Sequence, residues 1–358
     1  AACFELGAKD VVMDWRDDVC SREHWLLADD SVFDAVYPWD VEKNTQLGRE
    51  GAGFISVSAS DPENLRGVST DRLRRWEEAS GRDQKEFYRT MMANGFPWCV
   101  VSVPVLSWAK KVFPNDGDAA AMEKLWNAIF KTVRVTEGGD AVEAWRAHCA
   151  YLDEMAGKLN ALQLKQVRYK NALGTDVVVG LPEEHVWLAG ADTARSGVRF
   201  VANMPTEEVF SAPKRDAVDG VLAASKPLAL NGNVIEGIRL TLEHGRIVGI
   251  HADTNEDVLR QAIETDEGAH YLGEIALVPV DSPIAQSGLL FYNTLFDENA
   301  ACHFAFGQAY PACVPNGDNL SEEELVRRGI NAVSNTHVDF MVGTEDLSII
   351  GMTKDGRD

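Results

Sequence analysis

Segments with helical periodicity alternate with short apolar segments in the first part of the chain. Residues 53–58 and 97–104 are rich in apolar side chains and are flanked by glycine or proline, which predicts two strands. Apolar positions that recur at steps of three and four predict helices at residues 69–95, 118–132 and 140–164. Helices that alternate with strands are typical of a parallel sheet, so we predict an α/β domain with a parallel sheet over residues 1–165.

The start of the chain gives three further local predictions. Residues 1–6 resemble the last turn of a helix that ends at Gly7, because glycine commonly follows a helix. Residues 10–15 predict a buried strand, and the polar residues 40–51 predict a loop. A helix without a starting cap and an unfinished turn at 352–356 are what we expect of a fragment of a longer chain.

The second part of the chain is richer in strands and turns. Strands are predicted at residues 176–181, 198–202, 237–242, 246–251, 271–279 and 335–342. Glu243-His244-Gly245 predicts a hairpin turn in which glycine takes a positive φ. Helices are predicted at residues 255–265 and 299–310. We therefore predict an α+β domain with a largely antiparallel sheet over residues 166–358.

The balance of charge narrows the classes of partner. Lys and Arg number 34 against 56 Asp and Glu, so the formal net charge of the 358 residues is -22. Nucleic acids and anionic membranes are bound by clustered Lys and Arg, and we predict neither as a partner. An acidic surface keeps a protein in solution, whereas an acidic cavity attracts metal ions and amines, and the composition fits both.

Cysteine use and hydropathy favour a cytoplasmic protein. The six cysteines form no CxxC pair and are scattered, mostly among apolar neighbours, as reduced core thiols are. The sequence carries neither a signal-peptide pattern nor an apolar run long enough to cross a bilayer. We therefore predict a cytoplasmic location.

His337 and Asp339 lie two residues apart in the predicted strand 335–342. Side chains at this spacing point to one face of a strand, so an imidazole and a carboxylate together would form half of a divalent metal site. Two polar residues on a surface strand would give the same pattern. The apolar residues Phe340, Met341 and Val342 follow directly, which indicates that the pair lies near a core.

Glu298 and His303 belong to the segment FDENAACHFAFG, residues 296–307. Acidic residues stabilise the start of a helix, and a histidine among apolar residues is often a hydrogen-bonded core residue, so a purely structural interpretation is open. Tyr310 would share the helical face of His303 if the predicted helix continued. Glu298 would not share that face, so it must lie at the helix start if both residues bind metal.

Two further glutamates are candidates. Glu274 is the single charged residue in the apolar segment LGEIALVP, and a buried carboxylate needs a cation, a proton or hydrogen-bond donors. Either a structural salt bridge or a functional site would satisfy it. Glu208 follows Pro205 and Glu207 in a segment that also fits a capped turn. Carboxylates and imidazoles without a thiolate suit Zn²⁺, Co²⁺, Mn²⁺ or Mg²⁺ in a paired, oxygen-rich site.

The motifs NMPTEEVF, YLGEIALVP, LFDENAACHFAFGQAY and NTHVDFMVG, in this order, resemble those of the thermophilic metallo-aminopeptidase family, the group of aminopeptidases T and S. The resemblance extends over nearly the whole chain and is densest between Asn203 and Gly343. It implies a homodimer that uses two divalent metal ions to remove N-terminal residues from peptides with a free N-terminus. It also implies that seven residues lie at the metals: Glu208, Glu274, Glu298, His303, Tyr310, His337 and Asp339.

The mechanism implied by this resemblance is attack on the scissile carbonyl by a water that two metal ions activate. One carboxylate must carry a proton to the leaving amine. We assign this role to Glu298, with Glu274 as the alternative. Tyr310 would bind a metal or donate a hydrogen bond to the developing oxyanion.

Two other functions remain open. The family fold is similar to that of iron dioxygenases that cleave dihydroxypyridine rings, but these use one iron and need fewer carboxylates than Glu208, Glu274 and Glu298 supply. A non-catalytic protein would bind metal without hydrolysing peptides. The other histidines have no ligand-like neighbours and are predicted to be structural: His24, His148, His185, His244, His251 and His270.

Overall fold

The computed structural model describes residues 1–357 and places most of its helices before residue 163. These helices are Ala2–Glu5 (α1), Asp18–Leu27 (α2), Pro38–Arg49 (α3), Thr70–Asp83 (α4), Lys85–Met92 (α5), Leu106–Val112 (α6), Asp118–Thr132 (α7) and Ala141–Leu162 (α8). The strands Phe54–Ser58 (β1) and Trp98–Ser102 (β2) pair in parallel between them. The predicted α/β character with a parallel sheet is confirmed for this half.

Strands dominate the remainder of the chain. They are Leu164–Lys170 (β3), Asp176–Gly180 (β4), Leu188–Ala189 (β5), Asp192–Thr193 (β6), Arg199–Phe200 (β7), Val209–Ser211 (β8), Val218–Ala223 (β9), Leu228–Leu230 (β10), Asn233–Ile235 (β11), Arg239–Glu243 (β12), Arg246–His251 (β13), Leu272–Leu277 (β14), His303–Gly307 (β15), His337–Met341 (β16) and Ser348–Thr353 (β17). The helices of this part are Glu256–Ile263 (α9), Pro283–Ser287 (α10), Thr294–Asp297 (α11) and Glu322–Arg327 (α12).

Two antiparallel sheets form the β-rich half. One has six strands in the order β13-β12-β9-β4-β3-β17, and the other has five in the order β16-β15-β14-β8-β5. The apolar core lies between them, and the ring of Tyr169 on β3 meets the ring of Phe304 on β15 at 5.1 Å. The prediction of a largely antiparallel sheet is therefore confirmed. The division into two domains at residue 165 stays a prediction.

Two of the contacts between the halves anchor segments of the candidate site. The backbone N–H of Val100 on β2 donates to the carbonyl of Ala202 at 2.7 Å, and Met204 donates back to Val100 at 2.9 Å. Residues 202–204 thus lie beside β2 in parallel. The second contact is an apolar cluster in which Trp108 of α6 packs against Phe296, two residues before Glu298. The segments that lead to Glu208 and Glu298 are therefore anchored on the N-terminal half.

Two predictions near the start of the chain are wrong. The predicted loop 40–51 is largely helix α3. This helix has too few apolar residues to show a helical pattern in the sequence. Proline occupies the first turn of α3, and Gly48 lets it approach Phe96 so closely that a Cβ would lie 2.7 Å from that ring. The predicted strand 10–15 forms no strand, and Val12 and Trp15 lie exposed because no neighbouring strand covers them among residues 1–357.

Two helix predictions also need correction. The single helix expected over residues 69–95 is divided at Gln84 into α4 and α5. The helix expected over residues 299–310 is a short 3₁₀ turn at Glu298–Ala300 followed by strand β15. Phe304 and Phe306 gain partners on the opposing sheet, so tertiary packing determines the local structure. The hairpin at Glu243-His244-Gly245 joins β12 to β13 as expected, although His244 also has a positive φ.

No helix within residues 1–357 has both the length and the apolar character needed to cross a membrane.

Candidate metal centre

One face of the five-stranded sheet carries most of the candidate ligands. Glu274 on β14 pairs with Ala305 on β15, and Ala305 pairs with Asp339 on β16, so these three residues lie side by side. Residues two apart on a strand share a face, which adds His303 and His337 to the group. The strand conformation aligns His303 with β14 and β16. The predicted helix would not have aligned it with them.

Glu208, the residue directly before β8, reaches the same face. Phe210 pairs with Ala276 of β14, which lies two residues beyond Glu274, and Glu208 comes two residues before Phe210. The chain enters β8 through a cis Met204-Pro205 peptide bond. Glu208 and Asp339 are far apart in the sequence, but four neighbouring strands bring them close together.

A β-bulge sets the direction of Glu274. The register of β14 against β15 shifts between Leu272 and Glu274, which leaves Gly273 without an opposite partner. A Cβ at Gly273 would lie 2.5 Å from the carbonyl oxygens of Gly307 and Gln308. Only glycine fits this close approach, so Gly273 is required for the bulge that turns Glu274 toward the other ligands.

The ligand atoms form two trios that share Glu274. Atoms of Glu208, Glu274 and His303 lie within 4.8 Å of one another, and so do atoms of Glu274, His337 and Asp339. His303 Nε2 is 3.0 Å from Glu208 Oε2 and 3.5 Å from Glu274 Oε1. His337 Nε2 is 3.4 Å from Glu274 Oε2 and 3.3 Å from Asp339 Oδ1. The two oxygens of Glu274 thus face different imidazoles, as a carboxylate between two cations would.

Backbone carbonyls orient both imidazoles. The ring Nδ1 of His337 lies 2.7 Å from the carbonyl oxygen of Gln308, and that of His303 lies 3.2 Å from the carbonyl oxygen of Ala301. An Nδ1–H that donates to a carbonyl leaves Nε2 free to bind a metal. Both Nε2 atoms point into the carboxylate cluster, which is the orientation that metal binding needs.

Glu298 and Tyr310 lie beside the trios without belonging to them. Glu298 begins the 3₁₀ turn after α11, is buried, and accepts a hydrogen bond from Asn299 Nδ2 at 3.3 Å. The ring of Tyr310 lies 5.6 Å from that of His337, edge to face. Both residues line the same cavity as the trios, so they can reach a molecule bound there.

The cluster carries more negative charge than its cationic neighbours balance. Four buried carboxylates meet here, from Glu208, Glu274, Glu298 and Asp339. Within residues 1–357, His303 and His337 are the only cationic side chains within 4.0 Å of them. Burying unpaired carboxylates is costly, so the cluster would be stabilised by cations.

The pKa values of the cluster reflect this charge. Burial raises the pKa of Glu298 well above its usual range, and the carboxylates of Asp339 and Glu208 raise it further. Burial lowers the pKa of both imidazoles, but the neighbouring carboxylates raise it by more. Glu208 and Glu274 raise the pKa of His303. Asp339 and Glu274 raise the pKa of His337. Protons therefore hold the cluster together without metal, and metal ions would replace them.

A buried oxygen without a hydrogen-bond donor and the types of donor atom also fit divalent metal ions. Glu208 Oε2 is buried and accepts no well-directed hydrogen bond, although His303 Nε2 lies 3.0 Å away. A buried oxygen without a proper donor is uncommon and indicates a missing partner. Carboxylate oxygens and imidazole nitrogens without a thiolate are the donors that Zn²⁺, Co²⁺ and Mn²⁺ accept.

A cavity of about 90 Å³ opens over the cluster, and both halves of the chain line it. The C-terminal half supplies the candidate ligands, Tyr310 and Phe210, and the N-terminal half supplies Met92, Asn94 and Trp98. A substrate in the cavity would therefore contact the metal centre on one side and the N-terminal half on the other.

A network of polar residues supports the ligand segments, and it was not predicted from the sequence. The carboxylate of Glu207 forms two hydrogen bonds with Arg134, at 2.6 and 2.8 Å. The backbone N–H of Glu207 donates to Asn299 Oδ1 at 2.7 Å, and Asn299 Nδ2 donates to Glu298. His148 contacts the carbonyl of Thr206 at 2.8 Å. The only signal in the sequence was that Glu207 and Asn299 adjoin candidate ligands.

A buried group of carboxylates and imidazoles at the base of a cavity defines a metal-dependent enzyme of mixed α/β fold. Comparison with known proteins gives the family. The chain belongs to the thermophilic metalloprotease family (M29), whose family model matches residues 1–358, and it is therefore a metal-dependent peptide hydrolase.

The relatives match almost the full chain. Aminopeptidase AmpS of Bacillus subtilis is 44% identical over 354 residues, which are 99% of this chain and 86% of that protein. Aminopeptidase T of Thermus thermophilus is 41% identical over 357 residues, with 99% of this chain and 85% of that protein covered. The solved structure of wild-type AmpT from Thermus thermophilus is similar with a TM-score of 0.89 at 39% identity, and the match covers 99% of this chain and 86% of that one.

Proposed function

We propose that this enzyme is an aminopeptidase that removes N-terminal residues from peptides by means of two divalent metal ions. The observation that carries the proposal is the pair of buried trios that share Glu274 on one sheet face. The similar proteins are named aminopeptidases, which supports the choice of an exopeptidase.

The proposed ligands divide between the two ions with Glu274 common to both. Glu208 and His303 would hold one ion, and His337 and Asp339 would hold the other. Two ions held in this way would lower the pKa of a bound water and polarise the scissile carbonyl. The ions are proposed to be Zn²⁺, Co²⁺, Mn²⁺ or Mg²⁺, because the donor set contains oxygen and nitrogen only.

We propose Glu298 as the group that moves the proton. Burial and the carboxylates of Asp339 and Glu208 raise the pKa of its carboxyl, and the proposed cations would lower it again, so that the ionised carboxylate could take up a proton. It would accept the proton of the attacking water and pass it to the leaving amine. Asn299 holds its Oε1 in place. Glu298 lines the same cavity as the trios, so we also propose it as a metal ligand, and Glu274 is the alternative proton carrier.

We propose that Tyr310 stabilises the oxyanion or binds an ion. Burial raises the pKa of its hydroxyl well above the usual value, and the carboxylates of Glu274 and Asp339 add to the effect. The phenol therefore keeps its proton and can donate a hydrogen bond to the oxygen that develops negative charge.

The test begins with metal-free protein prepared with a chelator. Leucine p-nitroanilide and its N-acetyl derivative are offered after addition of Co²⁺ or Zn²⁺, and oxygen uptake with dihydroxypyridine is followed after addition of Fe²⁺. The proposal predicts hydrolysis of the free-amine substrate alone, with two ions bound per chain by elemental analysis. Oxygen uptake would instead support the dioxygenase, and metal uptake without either reaction would support the non-catalytic alternative.

Two further proposals concern assembly and location. From the resemblance to the family we propose that the chain forms a homodimer, which light scattering during gel filtration tests. From the cysteine and hydropathy patterns we propose that it acts in the cytoplasm, which cell fractionation tests. A monomer at micromolar concentration would contradict the first proposal.

A further inference from the structure

Asp192 on β6 is the one carboxylate of the cavity wall that is not a candidate metal ligand. Five acidic side chains line the cavity, and the other four are Glu208, Glu274, Glu298 and Asp339. Asp192 belongs to neither trio of ligand atoms in the described residues. Its negative charge in this wall therefore has a reason other than holding the two ions.

The carboxylate of Asp192 has little to balance it. Its side-chain partner is Asn94, whose Nδ2 lies 3.4 Å away, and no ion pair within 4.0 Å involves Asp192 in residues 1–357. Burial raises the pKa of Asp192 to about 6, and the charge of Asp318 contributes to the increase. A partly buried carboxylate in this state gains a partner when a cation enters the cavity.

The cavity wall combines apolar and polar side chains. Met92, Trp98 and Leu188 line the cavity together with Asp192, and Asn94 adds a polar group. The side chains of lysine and arginine combine an apolar stem with a cationic end. Trp98 adds an aromatic surface, which such cations also favour. The stem of such a side chain could pack on Met92, Trp98 and Leu188 while its cationic end pairs with Asp192.

We propose that Asp192 makes the enzyme favour peptides whose first residue is lysine or arginine, by pairing with the cationic end of that side chain. This inference rests on the proposed aminopeptidase function. The peptide's α-ammonium group is the other cation that Asp192 could bind. That group is attached to the carbon next to the scissile carbonyl, so it must lie near the trios, to which Asp192 does not belong.

The test compares wild-type enzyme with Asp192→Asn on p-nitroanilides of arginine, lysine, leucine and methionine. Asparagine keeps the shape and removes the charge. Asp216→Asn is the matched control, because it removes one charge from an exposed site. The measured quantity is the ratio of kcat/KM for arginine to kcat/KM for leucine. We expect this ratio to fall about 10- to 100-fold in Asp192→Asn, the range for loss of a charged hydrogen-bond partner, and to stay unchanged in the control.

Each other outcome overturns the inference. An equal loss on all four substrates would assign Asp192 to the α-ammonium group, and an unchanged ratio with unchanged rates would remove it from substrate selection. The inference also fails if the wild type does not prefer the basic substrates. Failure of the proposed function is distinguishable, since wild-type enzyme would then hydrolyse none of the four.

Discussion

At the scale of single residues, Glu274 is the side chain that links the two trios. Its two oxygens face His303 and His337 separately, and Gly273 provides the bulge that directs them. The remaining ligands contribute to one trio each. Chemistry at this centre therefore divides between residues that place the ions, such as Glu274, and residues beside them, such as Glu298.

Glu298→Gln should separate proton transfer from metal binding. Glutamine keeps an oxygen for Asn299 but cannot take up a proton, so kcat should fall about 10²- to 10⁴-fold, the usual contribution of a general base. Much of the metal should remain bound, as measured by elemental analysis. Glu154→Gln, at an exposed site, is the control. Near-normal turnover by Glu298→Gln would show that another residue carries the proton.

Ala305 should prove to be a spacer in the metal centre. It lies on the sheet face between Glu274 and Asp339, where its methyl group leaves room for ions. Ala305→Leu would fill this space, and we expect metal affinity to weaken at least about tenfold, as with other changes beside metal ligands. Ala305→Ser should bind metal far better because it adds one atom. Wild-type affinity in Ala305→Leu, measured by titration calorimetry, would contradict the prediction.

At the scale of elements, the loop after α7 is coupled to the segment before β8. Arg134 has a positive φ in this loop and forms two hydrogen bonds with the buried carboxylate of Glu207. Asn299 then connects the Glu207 backbone to Glu298. An ion pair between the two halves thus lies two hydrogen bonds from the proposed proton carrier.

Breaking this ion pair from one side should destabilise the protein. Arg134→Met leaves the Glu207 charge buried, and we expect the free energy of unfolding to fall by about 3 to 5 kcal/mol in chemical denaturation. Arg134→Met combined with Glu207→Leu should lose less than the sum of the two single changes, because no charge remains buried. Arg146→Met is the matched control, because it removes an arginine from an exposed salt bridge. Additive losses would mean that the pair is not coupled.

Helices and strands were predicted correctly where the apolar spacing in the sequence favours the same structure as the packing in the fold. Strands at 53–58, 97–104 and 335–342 and helices at 118–132 and 140–164 follow from apolar spacing, and the structure contains them within a few residues. The helix expected at 299–310 fails because HFAFG has an alternating pattern that only the neighbouring strands β14 and β16 decide. The loop expected at 40–51 fails because α3 is mostly polar and depends on contact with Phe96.

At the scale of the whole molecule, the metal centre should couple to stability. The cluster brings four carboxylates together in the interior, so removal of ions leaves their repulsion balanced only by protons and two imidazoles. We expect a chelator to lower the melting temperature and Zn²⁺ to restore it. A ligand at 100 times its Kd adds about 2.7 kcal/mol to the free energy of unfolding. An unchanged melting temperature would indicate that the cluster binds no metal in the folded state.

The sequence named the residues of the candidate site but could not predict how they are arranged in space. The motifs named seven side chains, and the structure brings all seven to one cavity or its base. Their division into two trios needed the sheet register, which no local pattern encodes. Asp192 and Arg134 were not predicted because their significance comes from distant parts of the chain that meet only after folding.

The backbone contact between Val100 and residues 202–204 has a consequence for recombining this enzyme with its relatives. Main-chain hydrogen bonds do not depend on side-chain identity, so a chimera that takes its first 165 residues from a relative can still form this junction. Such a chimera would exchange Met92, Asn94 and Trp98 while keeping every candidate metal ligand. The N-terminal wall of the cavity would then come from one parent, and Asp192 with the candidate metal ligands from the other.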